Sequence, residues 1–165
     1  MAENFSFDVV SDFDRQELVN ALDQVKREIS QRYDLKGTET SLNLDKENIF
    51  ITTNSELTLN SVIDIIRQKA IKRKLSLKIF DYKSIEVVSG NKVKQTISLK
   101  KGLNQEIAKK ISKKIRDEFK KVNVSINGET LRVTSKSKND LQMTIKLLNN
   151  LEETYKIPLQ ANNYR

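Results

Sequence analysis

Cations are the side chains whose number and spacing in this sequence best support a chemical role. Between Lys92 and Lys121 there are 11 Lys or Arg residues against three acidic residues. Residues 89–165 contain 17 basic and 7 acidic residues, a net of +10, whereas residues 1–88 contain 13 and 15, a net of −2. This asymmetry favours a phosphate-bearing partner, such as a nucleic acid, a nucleotide or an anionic lipid. A basic surface that only aids solubility is the alternative.

Histidine and cysteine are both absent from the sequence. This removes the commonest general base, thiol nucleophiles, Cys-based zinc sites and disulfides. We therefore expect a protein that is not an enzyme and that uses no cofactor. The alternative is an enzyme that uses a Ser–Lys pair, or carboxylates such as Asp8 and Asp12. The sequence shows no signal-peptide pattern and no apolar run of about 18 residues, so we expect a cytoplasmic protein that does not use a membrane.

A helix predicted over 103–119 carries the first group of candidate phosphate-binding cations. At 100° per residue, Lys109 and Lys113 lie opposite its apolar stripe. Lys100 and Lys101 precede the helix, so that two cations, a glycine and free helix amides can converge on a phosphate. A solvated helix face is the alternative. The glycine spacing of a P-loop or a Rossmann turn is missing.

A second group follows a predicted strand near residue 132. Arg132 points away from the apolar face of that strand, and Lys136 and Lys138 bracket the start of the next helix. An arginine so placed can stack on a base or fork onto a phosphate, or it can be a plain surface residue. Phe50 has the matching outward position in the first half, where it can stack on a base or pack between domains. Neither half carries the paired sheet aromatics of a standard RNA-recognition domain, so we do not expect sequence-specific reading of RNA.

Apolar periodicity predicts the elements that position these cations. The order strand-helix-strand-strand-helix-strand occurs twice, with alternating residues in the strands and stripes at helical spacing in the helices. The strands are expected around residues 5–9, 42–44, 49–51, 75–79, 93–99, 122–126, 131–133 and 157–161. Asp14 and Ser137 are predicted helix N-caps, and Asn127-Gly128 is a predicted hairpin turn.

The two halves also match as an internal repeat. At a shift of 82 residues, Ile49–Phe80 aligns with Leu131–Asn162 without a gap and with six identities in 32 pairs. The first helices align at a shift of 89, so the first repeat is 7 residues longer, around Arg32–Gly37. Arg32 and Lys36 in this extra segment can hold a guanine-bearing ligand, with a structural salt bridge between Arg32 and Asp34 as the alternative.

The predicted fold is α+β, with two ferredoxin-like (RNP-like) domains. Each domain is a four-stranded antiparallel sheet with two amphipathic helices on one face. The other face of each sheet is left open or meets the other repeat.

Several motifs along the chain resemble the YajQ family of bacterial nucleotide-binding proteins. In order, they are Ser6-Phe7-Asp8-Val9-Val10-Ser11, Arg32-Tyr33-Asp34-Leu35-Lys36-Gly37, Leu99-Lys100-Lys101-Gly102-Leu103, Arg132-Val133-Thr134 followed by Asp140-Leu141-Gln142, Ile157-Pro158-Leu159-Gln160, and Asn163-Tyr164-Arg165. Two positions depart from the family pattern. Leu35 stands where an aromatic residue is usual, and Thr134-Ser135-Lys136 replaces a Thr-Gly-Lys pattern, which bears on how closely a ligand can approach the backbone.

The resemblance implies a cytosolic, non-catalytic nucleotide-binding protein, with cyclic di-GMP as the ligand of some members and RNA suspected for others. It also implies that the domains exchange their first strands: Phe5–Ser11 joins the C-terminal sheet and Val93–Lys100 the N-terminal one. The expected domains are then 14–100, including a strand at 91–100, and 1–13 with 101–165. We expect a phosphate-rich guanine nucleotide such as cyclic di-GMP, or RNA, to bind the basic C-terminal half. The alternative is an adaptor for a transcription or translation protein, bound through an open sheet face.

Overall fold

The computed structural model describes residues 4–165, which form two compact units. One unit is Phe13–Lys100, and the other joins the described residues up to Asp12 to Lys101–Arg165. In chain order the elements are β1 (Phe5–Val10), α1 (Arg15–Gln31), β2 (Ser41–Leu44), β3 (Asn48–Thr53), α2 (Glu56–Lys72), a 3-10 turn (Leu77–Ile79), β4 (Phe80–Tyr82), β5 (Glu86–Val88), β6 (Lys92–Leu99), α3 (Gln105–Glu118), β7 (Asn123–Asn127), β8 (Thr130–Ser135), α4 (Lys138–Tyr155) and β9 (Gln160–Asn162).

The Phe13–Lys100 unit is an antiparallel sheet with α1 and α2 on one face. Its strand order is β2-β3-β6-β4, and the short β5 also pairs with β6. Alternate strand residues such as Ile49, Ile51 and Ile97 are fully buried and share one core with the apolar stripes of both helices. The opposite residues of these strands point away from the helices, as the period of two requires.

The second unit repeats this arrangement with different segments. Its strand order is β7-β8-β1-β9, and α3 and α4 cover the face that carries Phe7, Val9, Leu131 and Val133. In this sheet β1 has the third position, which β6 has in the other sheet. The predicted α+β class with two ferredoxin-like units is confirmed. The two strands lie in the sheets to which the resemblance assigned them.

Both predicted helix caps are confirmed. The Asp14 carboxylate accepts a hydrogen bond from the Glu17 amide at 3.2 Å, and the Ser137 hydroxyl accepts one from the Asp140 amide at 3.2 Å. Each bond satisfies an amide that the first helical turn leaves without an intrahelical partner.

Three predicted boundaries were wrong, and one of them is that of the last strand, which was expected around residues 157–161 and covers Gln160–Asn162. The alternation over residues 75–79 predicted a strand, but Leu77–Ile79 is a 3-10 turn and the strand begins at Phe80. The Ser76 hydroxyl accepts a bond from the Lys78 amide at 3.2 Å, and such local bonds compete with strand pairing. The helix predicted from Leu103 begins at Gln105, because Asn104 caps it by accepting a bond from the Ile107 amide at 2.8 Å.

The fold spreads the positive charge evenly between the units. Residues 13–100 contain 16 basic and 12 acidic residues, and residues 1–12 with 101–165 contain 14 and 10, so each has a net charge of +4. The reason is the strand arrangement, because the lysine-bearing β6 lies in one sheet and the acidic N-terminal segment in the other. Among residues 4–165, none of the helices combines the length and apolar composition of a membrane span.

Candidate phosphate-binding site

One face of the β7-β8-β1-β9 sheet is not covered by α3 and α4, and we call it the open face. It is polar, and Arg132 lies in its middle. Register places Ser125, Arg132, Asp8 and Asn162 in one row across the four strands. Arg132 Nε donates to Asp8 Oδ1 at 3.1 Å, and Asn163 Nδ2 donates to Asp8 Oδ2 at 2.9 Å. The Arg132 side chain is 45% exposed and that of Asp8 13% exposed. Arg132 is therefore oriented by a partner and still accessible to a ligand.

The surroundings of Asp8 keep its carboxyl group ionised. The hydrogen bond from Asn163, followed by the hydrogen bond and the positive charge of Arg132, holds the pKa of the Asp8 carboxyl below its ordinary value, although partial burial acts in the opposite direction. An ionised Asp8 presents only acceptor oxygens, and a carboxylate has about four acceptor positions. Two of these positions are used within the protein, which leaves others for a ligand.

A cavity of about 540 Å³ opens where β8 ends and α4 begins. Its lining residues are all polar or cationic: Asn4, Lys121, Asn123, Ser135, Lys136 and Ser137. The register that pairs Asn123 with Thr134 brings Lys121 opposite Lys136 just beyond the paired strands. The two lysines thus reach the cavity from two neighbouring segments of chain.

Serine hydroxyls shape the wall of this cavity. The Ser135 hydroxyl donates to the Lys121 carbonyl at 3.3 Å and accepts a bond from the Ser137 amide at 3.0 Å. Ser135 is buried, and its backbone φ is negative, so this backbone does not require the glycine that is usual in the family pattern. Its hydroxyl instead ties the end of β7 to the start of α4.

The cavity combines three features that suit a phosphate group. Lys121 and Lys136 are exposed, and within residues 4–165 neither takes part in an ion pair. The amino end of α4 adds a positive partial charge, and Lys138 is its first residue. Hydroxyl and amide groups supply donors of the kind that phosphate oxygens accept.

The loop before α3 offers less to a phosphate than its sequence suggests. Gly102 has φ +80°, and a Cβ there would lie 2.5 Å from a carboxylate oxygen of Glu129. An acidic side chain therefore lies against the glycine where we predicted a phosphate. Lys101 Nζ lies 3.7 Å from Asp12 Oδ1. The Lys100 amide donates to the Ile79 carbonyl at 2.8 Å, which ties Lys100 to the Phe13–Lys100 unit.

The lysines of α3 form a solvated helix face. Lys109 and Lys113 are exposed, and the buried side of the helix is formed by Ala108, Ile111 and Ile115. Since α3 packs on the inner face of its sheet, these lysines lie on the opposite side of the unit from the open sheet face. They and Arg132 are too far apart to hold one small ligand together.

Arg32 is committed to neighbouring carboxylates. Its Nε and Nη2 donate to the two oxygens of Asp34 at 3.0 and 2.8 Å, and its Nη1 lies 3.3 Å from Glu28 Oε2. The hydrogen bond from Arg32 lowers the pKa of Asp34, and that of Arg32 is raised correspondingly. Of the two alternatives for Arg32, a ligand contact or a salt bridge with Asp34, the structure shows the salt bridge. Lys36 lines a separate cavity beside β2.

The structure brings together only part of the predicted set. Lys136 and Lys138 both lie at the start of α4, and Arg132 lies on β8, four residues before Lys136. Lys121, Asn123 and Ser135 were not among the predicted site residues. The predicted turn at Asn127-Gly128 would have placed Lys121 opposite Thr134, but the turn residues are Gly128 and Glu129, and this register brings Lys121 opposite Lys136.

Comparison with known proteins identifies the family. The family model described as "Nucleotide-binding protein YajQ-like" matches residues 5–165. This chain belongs to that family. A nucleotide-binding protein of Prochlorococcus marinus strain MIT 9515 is 92% identical over 165 residues, which is 100% of both chains. Those of P. marinus subsp. pastoris and of P. marinus strain SARG are 90% and 61% identical, again over 100% of both chains. The resemblance seen in the motifs is thereby confirmed.

Proposed function

We propose that this YajQ-family protein binds a phosphate-rich guanine nucleotide, such as cyclic di-GMP, or a short guanine-containing RNA, and does so without turning it over. The observation that carries the proposal is the cavity at the start of α4, where Lys121 and Lys136 face each other without ion-pair partners in the described chain. The names of the relatives, which are nucleotide-binding proteins, support the same ligand class.

The ligand in this proposal extends from the cavity along the open sheet face. Phosphate oxygens lie between Lys121 and Lys136, and a guanine lies over the row that contains Arg132 and Asp8. Arginine donates to the O6 and N7 of guanine, and a carboxylate accepts from the hydrogens on its N1 and N2. Lys136 and Arg132 are four residues apart, or about 13 Å along a strand. This spacing favours a dinucleotide or a short RNA over a mononucleotide.

The residue types present support binding without catalysis. The sequence has no histidine or cysteine to activate a nucleophile, and the described residues contain no group of three carboxylates arranged to hold a metal ion. Incubation with GTP or cyclic di-GMP should therefore return the ligand unchanged. A nucleotide ligand also accords with the cytoplasmic location predicted above.

The test compares two charge reversals of equal size in the same unit. Titration calorimetry with cyclic di-GMP and a short guanine-rich RNA should show at least about tenfold weaker binding for Lys121→Glu/Lys136→Glu. Lys109→Glu/Lys113→Glu on α3 is the matched control and should retain most of the affinity. Equal losses in both variants would indicate diffuse attraction to positive charge and would contradict a site at the cavity.

Base recognition is tested separately at Arg132. Arg132→Ala should cost about 1–3 kcal/mol with cyclic di-GMP and much less with cyclic di-AMP, because adenine lacks the O6 acceptor. Equal losses for both cyclic dinucleotides would remove Arg132 from guanine recognition.

The affinity for single-stranded RNA should fall as the salt concentration rises, with a log–log slope of about −0.7 per neutralised phosphate.

A further inference from the structure

Strand β2 forms an edge of the Phe13–Lys100 sheet with unused backbone groups. In the sheet order it has β3 on one side and no strand on the other. The Asp45 amide donates to the Asn48 carbonyl at 2.9 Å. Because hydrogen-bonded and non-hydrogen-bonded pairs alternate in an antiparallel ladder, the amides and carbonyls of Leu42 and Leu44 point away from β3. Within residues 4–165, no hydrogen bond beyond the ladder engages them.

This edge is short, but it lacks the sequence features by which proteins usually block strand addition. Natural edge strands carry charged residues, proline or a bulge that prevents another chain from pairing. The segment Ser41-Leu42-Asn43-Leu44 contains neither charge nor proline, and it pairs with β3 in unbroken register. Its exposed edge is therefore competent to pair with another strand.

A long groove runs beside the same edge, between β2 and α1. Cavities of about 480 and 400 Å³ share the lining residues Lys26, Leu42 and Asn43, so they adjoin and together form a channel along β2. Its α1 wall extends from Arg15 to Ser30. At 1.5 Å per residue this wall is about 22 Å long, which matches about six or seven residues of extended chain. We call this channel the β2 groove.

The groove exists because the connection from α1 to β2 is long. Nine residues, 32–40, join these elements, whereas four residues, 119–122, join α3 to β7 in the other unit. There α3 packs directly on β7, which is the edge strand in the same sheet position, but α1 and β2 do not pack together in this way. The longer connection holds the helix and the edge strand apart.

The walls of the β2 groove combine an apolar floor with a cationic rim. Leu22, Leu35 and Leu42 are buried at its base. Lys26 and Lys36 are exposed on the rim, and in the described part of the chain neither forms an ion pair.

The groove lining has fewer carboxylates than cations, and one of the carboxylates is neutralised by an ion pair. Glu39 is paired with Lys92 at 3.0 Å, and Asp23 is the other acidic residue of the lining. Arg15 adds a further cation at one end, where it donates to the carbonyls of Asp45 and Lys46. The rim therefore complements a partner with negative charge.

We propose that the β2 groove binds an extended acidic segment of a partner protein, which adds to the sheet as a strand beside β2. Its backbone pairs with the outward groups of Leu42 and Leu44. Its apolar side chains, at every second position, enter the groove, and the positive charge of Lys26 and Lys36 on the rim attracts its carboxylates. This surface and the proposed nucleotide cavity belong to different units, so the two activities are separable by mutation.

The experiment uses a fluorescein-labelled peptide of about seven residues that alternates glutamate with valine. Fluorescence anisotropy with the full chain should show saturable binding. A peptide that alternates lysine with valine should not bind. A glutamate–valine peptide with N-methyl groups on the pairing edge should also lose binding, because it cannot donate to the strand.

Charge reversal on the rim supplies the matched comparison. Lys26→Glu/Lys36→Glu should weaken peptide binding at least about tenfold, since two attractive charges become repulsive. Lys72→Glu/Lys74→Glu makes the same charge change at the end of α2, outside the groove lining, and should change affinity by less than about twofold. All four positions are exposed, so both variants should melt like the parent protein.

Amide hydrogen exchange gives a readout of strand addition itself. Peptide binding should slow exchange of the Leu42 and Leu44 amides at least about tenfold while leaving the edge strand β7 unchanged. Absence of binding, unchanged exchange at these amides, or equal effects of the two charge reversals would each overturn the proposal. Protection of the same amides without peptide, together with dimer formation, would overturn it in favour of a second copy of this chain.

Discussion

Asp8 organises the centre of the open sheet face, because two side chains distant in the sequence donate to its carboxylate. Arg132 and Asn163 are 124 and 155 residues away from it, and each binds one oxygen. The hydrogen bonds keep Asp8 ionised, and in return they hold the arginine where a guanine can meet it. One carboxylate thus serves both the stability of the sheet and the proposed ligand site.

We predict that Asp8→Asn lowers the free energy of unfolding at pH 7 by about 1 kcal/mol, because charge-assisted bonds become neutral ones. The folded pKa lies below the ordinary value of 3.8, so this contribution is present above that pH and is lost as the pH falls through the folded value. Urea unfolding at pH 7 and pH 3 should therefore show a difference between the proteins that shrinks in acid.

Asp117→Asn is the control for this pH effect, since Asp117 is an exposed carboxylate on α3 of the same unit. It should change stability little at either pH. If Asp8→Asn kept the full acid sensitivity of the parent protein, the hydrogen bonds of Asp8 would not be a source of that sensitivity.

The first turn of α4 links the stability of an element to the proposed ligand site. Ser137 caps the helix and also lines the cavity between Lys121 and Lys136. Asp and Asn cap helices about as well as Ser does. The two replacements differ in charge, and only one of them places an anion in the cavity.

Ser137→Asp should therefore keep the thermal stability of the parent while weakening nucleotide binding about tenfold through repulsion of phosphate. Ser137→Asn should keep both stability and affinity, because it caps the helix without adding charge. Thermal melting and calorimetry with cyclic di-GMP measure the two effects. Unchanged affinity in Ser137→Asp would place the phosphates elsewhere.

For the whole molecule, the central strands decide which pieces of chain can fold. In each sheet the third strand comes from outside the contiguous helix-hairpin-helix segment: β6 lies between β3 and β4, and β1 lies between β8 and β9. Ile97 of β6 and Phe7 of β1 are fully buried. Removing either strand would divide a sheet and expose its core.

We predict that a fragment of residues 13–100 folds cooperatively and that a fragment of residues 1–88 does not, because the second lacks β6 and contains an unpaired β1. Circular dichroism with thermal melting, and dispersion of amide signals in NMR spectra, distinguish the two results. A stable 1–88 fragment together with an unfolded 13–100 fragment would contradict this strand arrangement.

The helices and their caps follow from sequence alone, because they depend on local physics. Each of α1 and α4 has an apolar stripe at helical spacing and an Asp or Ser as its N-cap. These local features favour a helix regardless of what the helix packs against. The hairpin of β7 and β8 is equally local, but its turn residues are Gly128 and Glu129, one position later than the predicted Asn127-Gly128. The family motifs also predicted which sheet each of β1 and β6 joins, which local patterns do not show. The comparison with known proteins confirmed the family.

The arrangement of charge depended instead on contacts between distant segments. The sequence showed a basic half, but moving β1 and β6 into their sheets leaves both units at +4. Glu129 against Gly102, Asp8 beneath Arg132, and the gap between α1 and β2 likewise depend on packing across long stretches of chain. A local pattern specifies which face of a strand is buried, but not which strand lies beside it, because that choice is made by the free energy of the whole core.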